Sequence, residues 1–445
     1  MRVYLESLGC KLNQCERDAL AAQFVQAGHT VVLDPEQADV CVLNTCAVTH
    51  VAARKSRQRM RHLRRSSPAA RLVATGCYVT LGENGLSADL RVDNEDKDGL
   101  VAQVEALLDR WRLAPTPGGL SQTEALKPRT RPMVKIQDGC DNECTYCIVH
   151  VLRGKQRSRA REAILAEVAG LVQQGYHEVV LTGVHISSYG RDRDDSLAGL
   201  VRAILSGMSP ERLRLSSLEP WDIDSEFLTL WEDPRLCRHL HLSLQSGCDR
   251  TLARMNRNYT AAQYAALVTE AREAIPDLAL TTDVIAGFPG ETEADFAESA
   301  AFVESTGFAR THVFVYSPRP GTPAAELLDQ VDPQVRKARA ARLRSIGRAS
   351  SRQFRMRFVG RAVPVLWETR RPDGRWSGLT DNYMRVYVDS EADLAHTICS
   401  ARLLGLEKGG LHGALASRRR AARAADETVA AVGGADADPL CLSSS

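Results

Sequence analysis

The sequence lacks any apolar run near the ~20 residues that a membrane-spanning helix needs, which argues against a helical membrane protein. Its opening, Met1-Arg2-Val3-Tyr4-Leu5-Glu6, lacks the apolar core of a signal peptide and reaches an acid at once, so a cytoplasmic location is expected. Compositional bias is missing too. With 44% apolar and 25% charged residues over 445 positions, collagen, coiled coil and wholesale disorder are excluded. At about 150 residues per domain, the length suggests roughly three domains with cores of their own. Net charge is nearly absent, since 57 Lys and Arg against 55 Asp and Glu give +2.

That small sum conceals an uneven distribution. Residues 54–71 hold eight Lys or Arg and no acid, and residues 336–361 hold ten, again with no acid. The rest of the chain carries 39 basic and 55 acidic residues. Each strip alone reads equally well as a solvated helix face, but two of this density favour contact with nucleic acid. Arg54, Arg57, Arg61 and Arg65 recur at helical spacing, giving one basic face suited to phosphates.

Apolar periodicity organises the chain. Strand-like runs at 2–8, 30–33, 39–43 and 71–74 alternate with helical stretches at 14–27, 51–65 and 96–111, which predicts an open parallel α/β domain over 1–112. A Pro- and Gly-rich linker follows at 113–132. A second alternation then repeats about six times within 133–357 and ends in a long basic helix at 333–357. Its strands are expected at 133–137, 178–184, 212–218, 239–245, 278–285 and 311–316, with helices at 161–174, 196–206, 224–232, 260–275 and 291–306. Six β/α units suit a partial barrel, which places ligands at the carboxyl ends of its strands. Residues 358–413 turn to short alternating strands, as in a small all-β barrel, and 414–445 form a low-complexity tail expected to be disordered.

Twelve cysteines in a long chain without a signal peptide point to metal before disulfides. Cys140-Asp-Asn-Glu-Cys144-Thr-Tyr146-Cys147 is a C-x3-C-x2-C run directly after the first strand of the repeating region. Three thiolates on one loop suit three corners of a [4Fe–4S] cluster and leave one iron open, whereas a zinc site would need a fourth ligand such as His150. A second trio, Cys10, Cys46 and Cys77, follows three predicted parallel strands, so one sheet edge collects them either as a shared metal site or as packing cysteines. Cys15, Cys41, Cys237, Cys248 and Cys399 form no spaced motif and are read as structural, and Cys441 as incidental.

The C-x3-C-x2-C loop, with Tyr146 before its last cysteine, resembles that of the radical S-adenosylmethionine (SAM) enzymes. The segments around Leu8-Gly9-Cys10-Lys11-Leu12-Asn13-Gln14, Asn44-Thr45-Cys46 and Thr75-Gly76-Cys77 resemble the methylthiotransferase branch of that family. So do 241–247, 282–291 and 316–322, while the end of the chain looks like the RNA-binding TRAM domain of these enzymes. His150-Val151 departs from the Pro-Tyr usual in the family at that point, which bears on loop packing.

The resemblance implies a radical SAM partial (β/α)6 barrel with SAM chelated by the open iron of the Cys140/Cys144/Cys147 cluster. It implies an auxiliary [4Fe–4S] cluster on Cys10, Cys46 and Cys77 that carries the sulfur, with two SAM used per product. Tyr146, Gly183, Glu219 and Gln245 are the residues expected near SAM; their other reading is loop hydrogen bonding. The implied substrate is the anticodon loop of tRNA, with an electron donor of flavodoxin or ferredoxin type and a sulfur donor as partners. Leu-Gly-Cys-Lys-x-Asn-Gln and Gly378-Leu-Thr380-Asp-Asn382-Tyr383 resemble the enzymes acting on N6-threonylcarbamoyladenosine at tRNA position 37. The alternatives are isopentenyladenosine, a ribosomal protein, or an iron–sulfur RNA-binding protein without chemistry of its own.

Overall fold

The computed structural model describes residues 1–82, 87–111, 113, 129–207 and 210–416. They form two compact units, Met1–Phe354 and the chain from Arg355 onward. Most of the expected linker and the tail from 417, with Cys441, lie outside the described residues.

The first unit opens with five parallel strands, β1 (Arg2–Ser7), β2 (Thr30–Val32), β3 (Val40–Thr45), β4 (Arg71–Gly76) and β5 (Leu90–Val92), in the order β2-β1-β3-β4-β5. Apolar residues cover both faces, which is why the strands read as near-continuous hydrophobic runs. Val3, Val40, Val42 and Val73 pack with Leu20 and Phe24 of helix α1 (Lys11–Gln26). Cys41, Leu43 and Leu72 pack on the other face with Met60 and Leu63 of helix α2 (His50–Ser66). Helix α1 begins three residues before the expected start, because Cys10 itself takes the extended N-cap conformation. β5 lay hidden in a polar stretch, Leu90-Arg91-Val92, too short for its alternation to register.

The same unit continues with β6 (Met133–Lys135), the two-residue rung of β7 (Gln137–Asp138) and β8 (Arg157–Ser158), then β9 (Glu178–Thr182), β10 (Arg212–Leu215), β11 (Ser217–Leu218), β12 (His239–Leu242), β13 (Ala279–Ala286) and β14 (Arg310–Val315). The ladders β10-β9-β6 and β11-β12-β13-β14 are parallel, with β10 and β11 forming one strand interrupted at Ser216. Six strand positions alternating with helices make the expected partial barrel. The helix expected at 224–232 is shorter, Ser225–Leu228 followed by a 3-10 turn. Val179, Leu181, Leu213, Leu215, Leu240, Leu242, Leu280 and Val284 join the apolar core beneath the helices. By period-2 alternation, Glu178, Arg214, His239, His241, Thr281, Asp283 and His312 face the opposite, inner side. Arg214 and Glu178 are both fully buried and pair at 2.6 Å.

The second unit is a closed barrel in the order β15-β16-β17-β19-β18, built from β15 (Ala362–Arg370), β16 (Trp376–Thr380), β17 (Arg385–Val388), β18 (Ile398–Glu407) and β19 (Gly410–Leu415). The last two strands exceed the sequence expectation. Ile-Cys-Ser-Ala-Arg-Leu-Leu-Gly-Leu-Glu has ordinary helical composition, and its pairing with β15 and β19 overrides that preference.

Candidate metal centres

Cys10 follows β1, Cys46 follows β3 and Cys77 follows β4, three adjacent strands of one sheet. The order also reverses direction at β1/β3, where open α/β sheets bind ligands at their carboxyl edge. The loops are locked together by side chains. Asn13 Nδ2 donates to the carbonyls of Leu8 and Thr45, at 2.7 and 2.9 Å. Thr45 Oγ1 donates to the Thr75 carbonyl at 2.6 Å and accepts from the Tyr78 amide at 3.2 Å. Gly9 has φ +98°, and a Cβ there would lie 2.7 Å from Cys46 Sγ, so only glycine lets the Cys10 loop approach Cys46. Gly76 has φ +94°, and a Cβ would lie 2.3 Å from Asn44 Oδ1. The three thiols are near enough to act electrostatically on one another. Burial pushes the Cys46 thiol up to about 11. Cys10, by contrast, keeps solvent contact although protein surrounds it densely, as a residue lining a recess does.

In the barrel, Cys140, Cys144 and Cys147 lie on the loop after the β6–β7 segment. N–H donors point at their sulfurs: Arg257 Nη1 to Cys144 Sγ at 3.5 Å and the Val149 amide to Cys147 Sγ at 3.4 Å. His185 Nδ1 lies 3.9 Å from Cys140 Sγ, while its Nε2 is 2.7 Å from Asp222 Oδ2. Against the cost of burial, those contacts raise His185 to about 9. Burial pushes Cys147 up to about 12. Arg257 is itself held by Glu219 Oε2 and by the Ser243 carbonyl, with its guanidinium 4.5 Å from the Trp221 ring centre. His185, Asp222 and Arg257 were invisible to sequence reasoning, since none belongs to a spaced motif.

A buried ionic network joins the two trios. Arg153, on the short helix after Cys147, donates to Glu16 Oε1 at 2.7 Å, Asp138 Oδ1 at 3.0 Å and Asn13 Oδ1 at 2.9 Å. Lys97 Nζ donates to Glu16 Oε2 at 2.7 Å and to Asn94 Oδ1 at 2.8 Å, and Asn94 Nδ2 lies 3.7 Å from Cys77 Sγ. Lys135 pairs with Asp138 and Glu16. Three cations against two carboxylates leave one positive charge in excess in this network; Arg153 draws the Cys10 thiol down, while burial still holds it above its ordinary value.

Tyr146 packs against Met255, Phe288 and Tyr316. Gly183 directly follows β9, where a Cβ would lie 2.8 Å from the Gln137 carbonyl. Glu219 is shared with Arg257, and Gln245 sits at positive φ, +63°, bridging β12's extension to Val284. Arg54, Arg61 and Arg65 are exposed on α2, whereas Arg57 donates to Tyr78 Oη at 3.0 Å. His150, the zinc alternative's fourth ligand, lies on the short helix after Cys147. Among the described residues, no three Cys, His or acidic groups are set to hold a single metal ion. In a four-iron cluster each thiolate takes its own iron, so its donors need not meet at one point. Cys15 Sγ contacts the Met133 carbonyl, Cys248 contacts Asp295 and Cys399 accepts from Trp367 Nε1.

Comparison with known proteins matches residues 134–303 to the Radical SAM superfamily and residues 2–94 to the uncharacterized protein family UPF0004. The threonylcarbamoyladenosine tRNA methylthiotransferase MtaB of Thermotoga maritima is 36% identical over 392 residues, covering 86% of this chain and 90% of that protein. MtaB of Bacillus subtilis is 34% identical, covering 90% and 93%. A tRNA-2-methylthio-N(6)-dimethylallyladenosine synthase of Parafrankia is 37% identical, covering 81% and 77%. Among solved structures, the radical S-adenosylmethionine methyltransferase TsrM of Kitasatospora setae superposes with a TM-score of 0.56 at 16% identity, covering 73% of this chain and 77% of that one, a likeness of fold. With two cysteine trios on the strand ends of one unit and relatives aligned along most of its length, the chain belongs to the radical SAM superfamily, in its MtaB-like methylthiotransferase family.

Proposed function

We propose that this chain replaces C2–H of N6-threonylcarbamoyladenosine at tRNA position 37 by C2–SCH3, consuming two SAM per product, in the cytoplasm. The convergence of two cysteine trios within one unit, tied by the Arg153 network, carries this reading. Membership in the superfamily brings SAM and a [4Fe–4S] cluster. We assign that cluster to Cys140, Cys144 and Cys147, and a second, auxiliary one to Cys10, Cys46 and Cys77. The donor sets fit, since each offers three free thiols with N–H groups or excess positive charge turned toward sulfur. Bound there, such a cluster supplies the electron that splits SAM into methionine and a 5′-deoxyadenosyl radical.

The chain's own residues position and screen. Arg257 and Val149 direct N–H groups at Cys144 and Cys147, and His185 Nδ1 lies beside Cys140. Tyr146 seats the loop on Phe288 and Tyr316, while Gly183, Glu219 and Gln245 offer backbone and polar groups to SAM at strand ends. An electron donor of flavodoxin or ferredoxin type and a sulfur donor complete the cycle. The Parafrankia relative supports a second reading, the isopentenyl nucleoside, because overall identity does not separate the two. The Leu8-Gly9-Cys10-Lys11 segment favours the first. Purified, iron-loaded protein with reductant, SAM and tRNA is expected to release 5′-deoxyadenosine and S-adenosylhomocysteine together. Release of neither would leave only an RNA-binding protein.

The tRNA is expected to lie on α2. Replacing Arg54, Arg61 and Arg65 together by alanine should weaken tRNA binding and lower the slope of log affinity against log salt by about 2, at ~0.7–0.9 per phosphate contact. Titrations at several salt concentrations measure it, and an unchanged slope removes α2 from the interface.

A further inference from the structure

The inner face of β12–β14 carries side chains that neither cysteine trio uses. Val313 and Val315 pack against the apolar core, so Arg310, His312 and Phe314 point to the opposite side, into the barrel. Strand register sets Asp283 beside His312 and Ile285 beside Phe314. His241 Nε2 reaches Asp283 Oδ1 at 3.4 Å, and the His241 and His312 rings are 5.8 Å apart. A single exposed phenylalanine on an outer surface would need no explanation. Phe314 is 44% exposed on an inner face, above a carboxylate that keeps 29% of its own surface.

This patch opens toward the auxiliary trio. β14 is the last strand of the incomplete barrel, so its outer edge has no neighbouring strand in the ladder. Just beyond it, Ser317 Oγ accepts from the His50 amide at 3.2 Å, which brings the Cys46–α2 loop to that edge. The Lys11 charge, next to Cys10, is felt at His239 and His312. Burial, then Arg310, lowers His312 to about 4, so near neutral pH it acts as a hydrogen-bonding imidazole and adds no charge. Arg310 and Lys11 supply the cations.

We propose that Phe314, Asp283 and His312 form the receptor for the target nucleoside, with Phe314 stacking on the purine, Asp283 and His312 hydrogen-bonding the polar N6 substituent, and Arg310 with Lys11 neutralising its carboxylate. The inference rests on the substrate reading above and deepens it into a specificity site. An aromatic face takes any purine, whereas the polar pair rewards a carbamoyl and carboxylate group. An isopentenyl group would leave those polar side chains without partners, the situation in which sites discriminate most strongly.

Fluorescence anisotropy with anticodon stem–loop RNAs tests this, the RNAs carrying threonylcarbamoyladenosine, isopentenyladenosine or plain adenosine at position 37. Melting temperatures control for folding. Phe314→Ala should weaken all three RNAs by about tenfold, the loss of one base stack, and Phe314→Tyr should restore them. His312→Gln and Arg310→Ala should weaken the threonylcarbamoyl RNA by about tenfold and leave the isopentenyl RNA unchanged. Equal affinities across wild type and variants with normal melting would overturn the receptor. If the wild-type protein instead modifies only isopentenyl RNA while Phe314→Ala still weakens every RNA, the nucleoside assignment fails, the stacking role survives and the carboxylate role falls.

Discussion

Replacing Cys10 by alanine is expected to lower the iron bound per chain from about eight to about four while 5′-deoxyadenosine release from SAM continues. Methylthiolated nucleoside should be lost, because each of the three thiols holds one corner and the loops cannot offer another. Neither neighbouring free cysteine can substitute: Cys15 is turned to the Met133 carbonyl and Cys41 lies in the core beneath the sheet. Cys144→Ala should give the complementary result. Iron again halves, but 5′-deoxyadenosine disappears as well. Iron analysis and chromatography of the SAM products read both outcomes. Unchanged iron in Cys10→Ala contradicts the auxiliary site.

Glu16→Ala is expected to destabilise the first unit by about 3–5 kcal/mol, since it strands Arg153 and Lys97 in a buried setting. Glu16 accepts from Arg153 at 2.7 Å and from Lys97 at 2.7 Å, and the side chains of all three are 6% exposed or less. Arg153 and Lys97 hold the Glu16 carboxyl well below the usual carboxylate range despite its burial. Pairing the change with Lys97→Met should recover part of the loss, because it removes one of the two stranded charges. Chemical unfolding measures this. A loss under about 1 kcal/mol would mean that Asp138 and Asn13 alone satisfy Arg153.

Much of this organisation was legible because the chemistry is local. The C-x3-C-x2-C loop needs only its own spacing, and each cysteine of the N-terminal trio sits one to three residues past a strand whose apolar run marks it. The adjacency of β1, β3 and β4 was not legible, because sheet order depends on crossovers that no local pattern encodes. The Glu16–Arg153 link spans 137 residues and looks, in sequence, like two ordinary surface charges. Arg57 shows the opposite error of view: helical spacing puts it on the basic face, yet it reaches Tyr78 next to Cys77. The inner row His241, Asp283, His312 and Phe314 emerges only when three strands fix their register.

Mass spectrometry of tRNA nucleosides from cells with and without this chain tests the central claim most directly. The account predicts that 2-methylthio-N6-threonylcarbamoyladenosine is present with the protein, and that its unmethylthiolated parent accumulates without it. An unchanged threonylcarbamoyl pool, with loss confined to the methylthio-isopentenyl nucleoside, would contradict it.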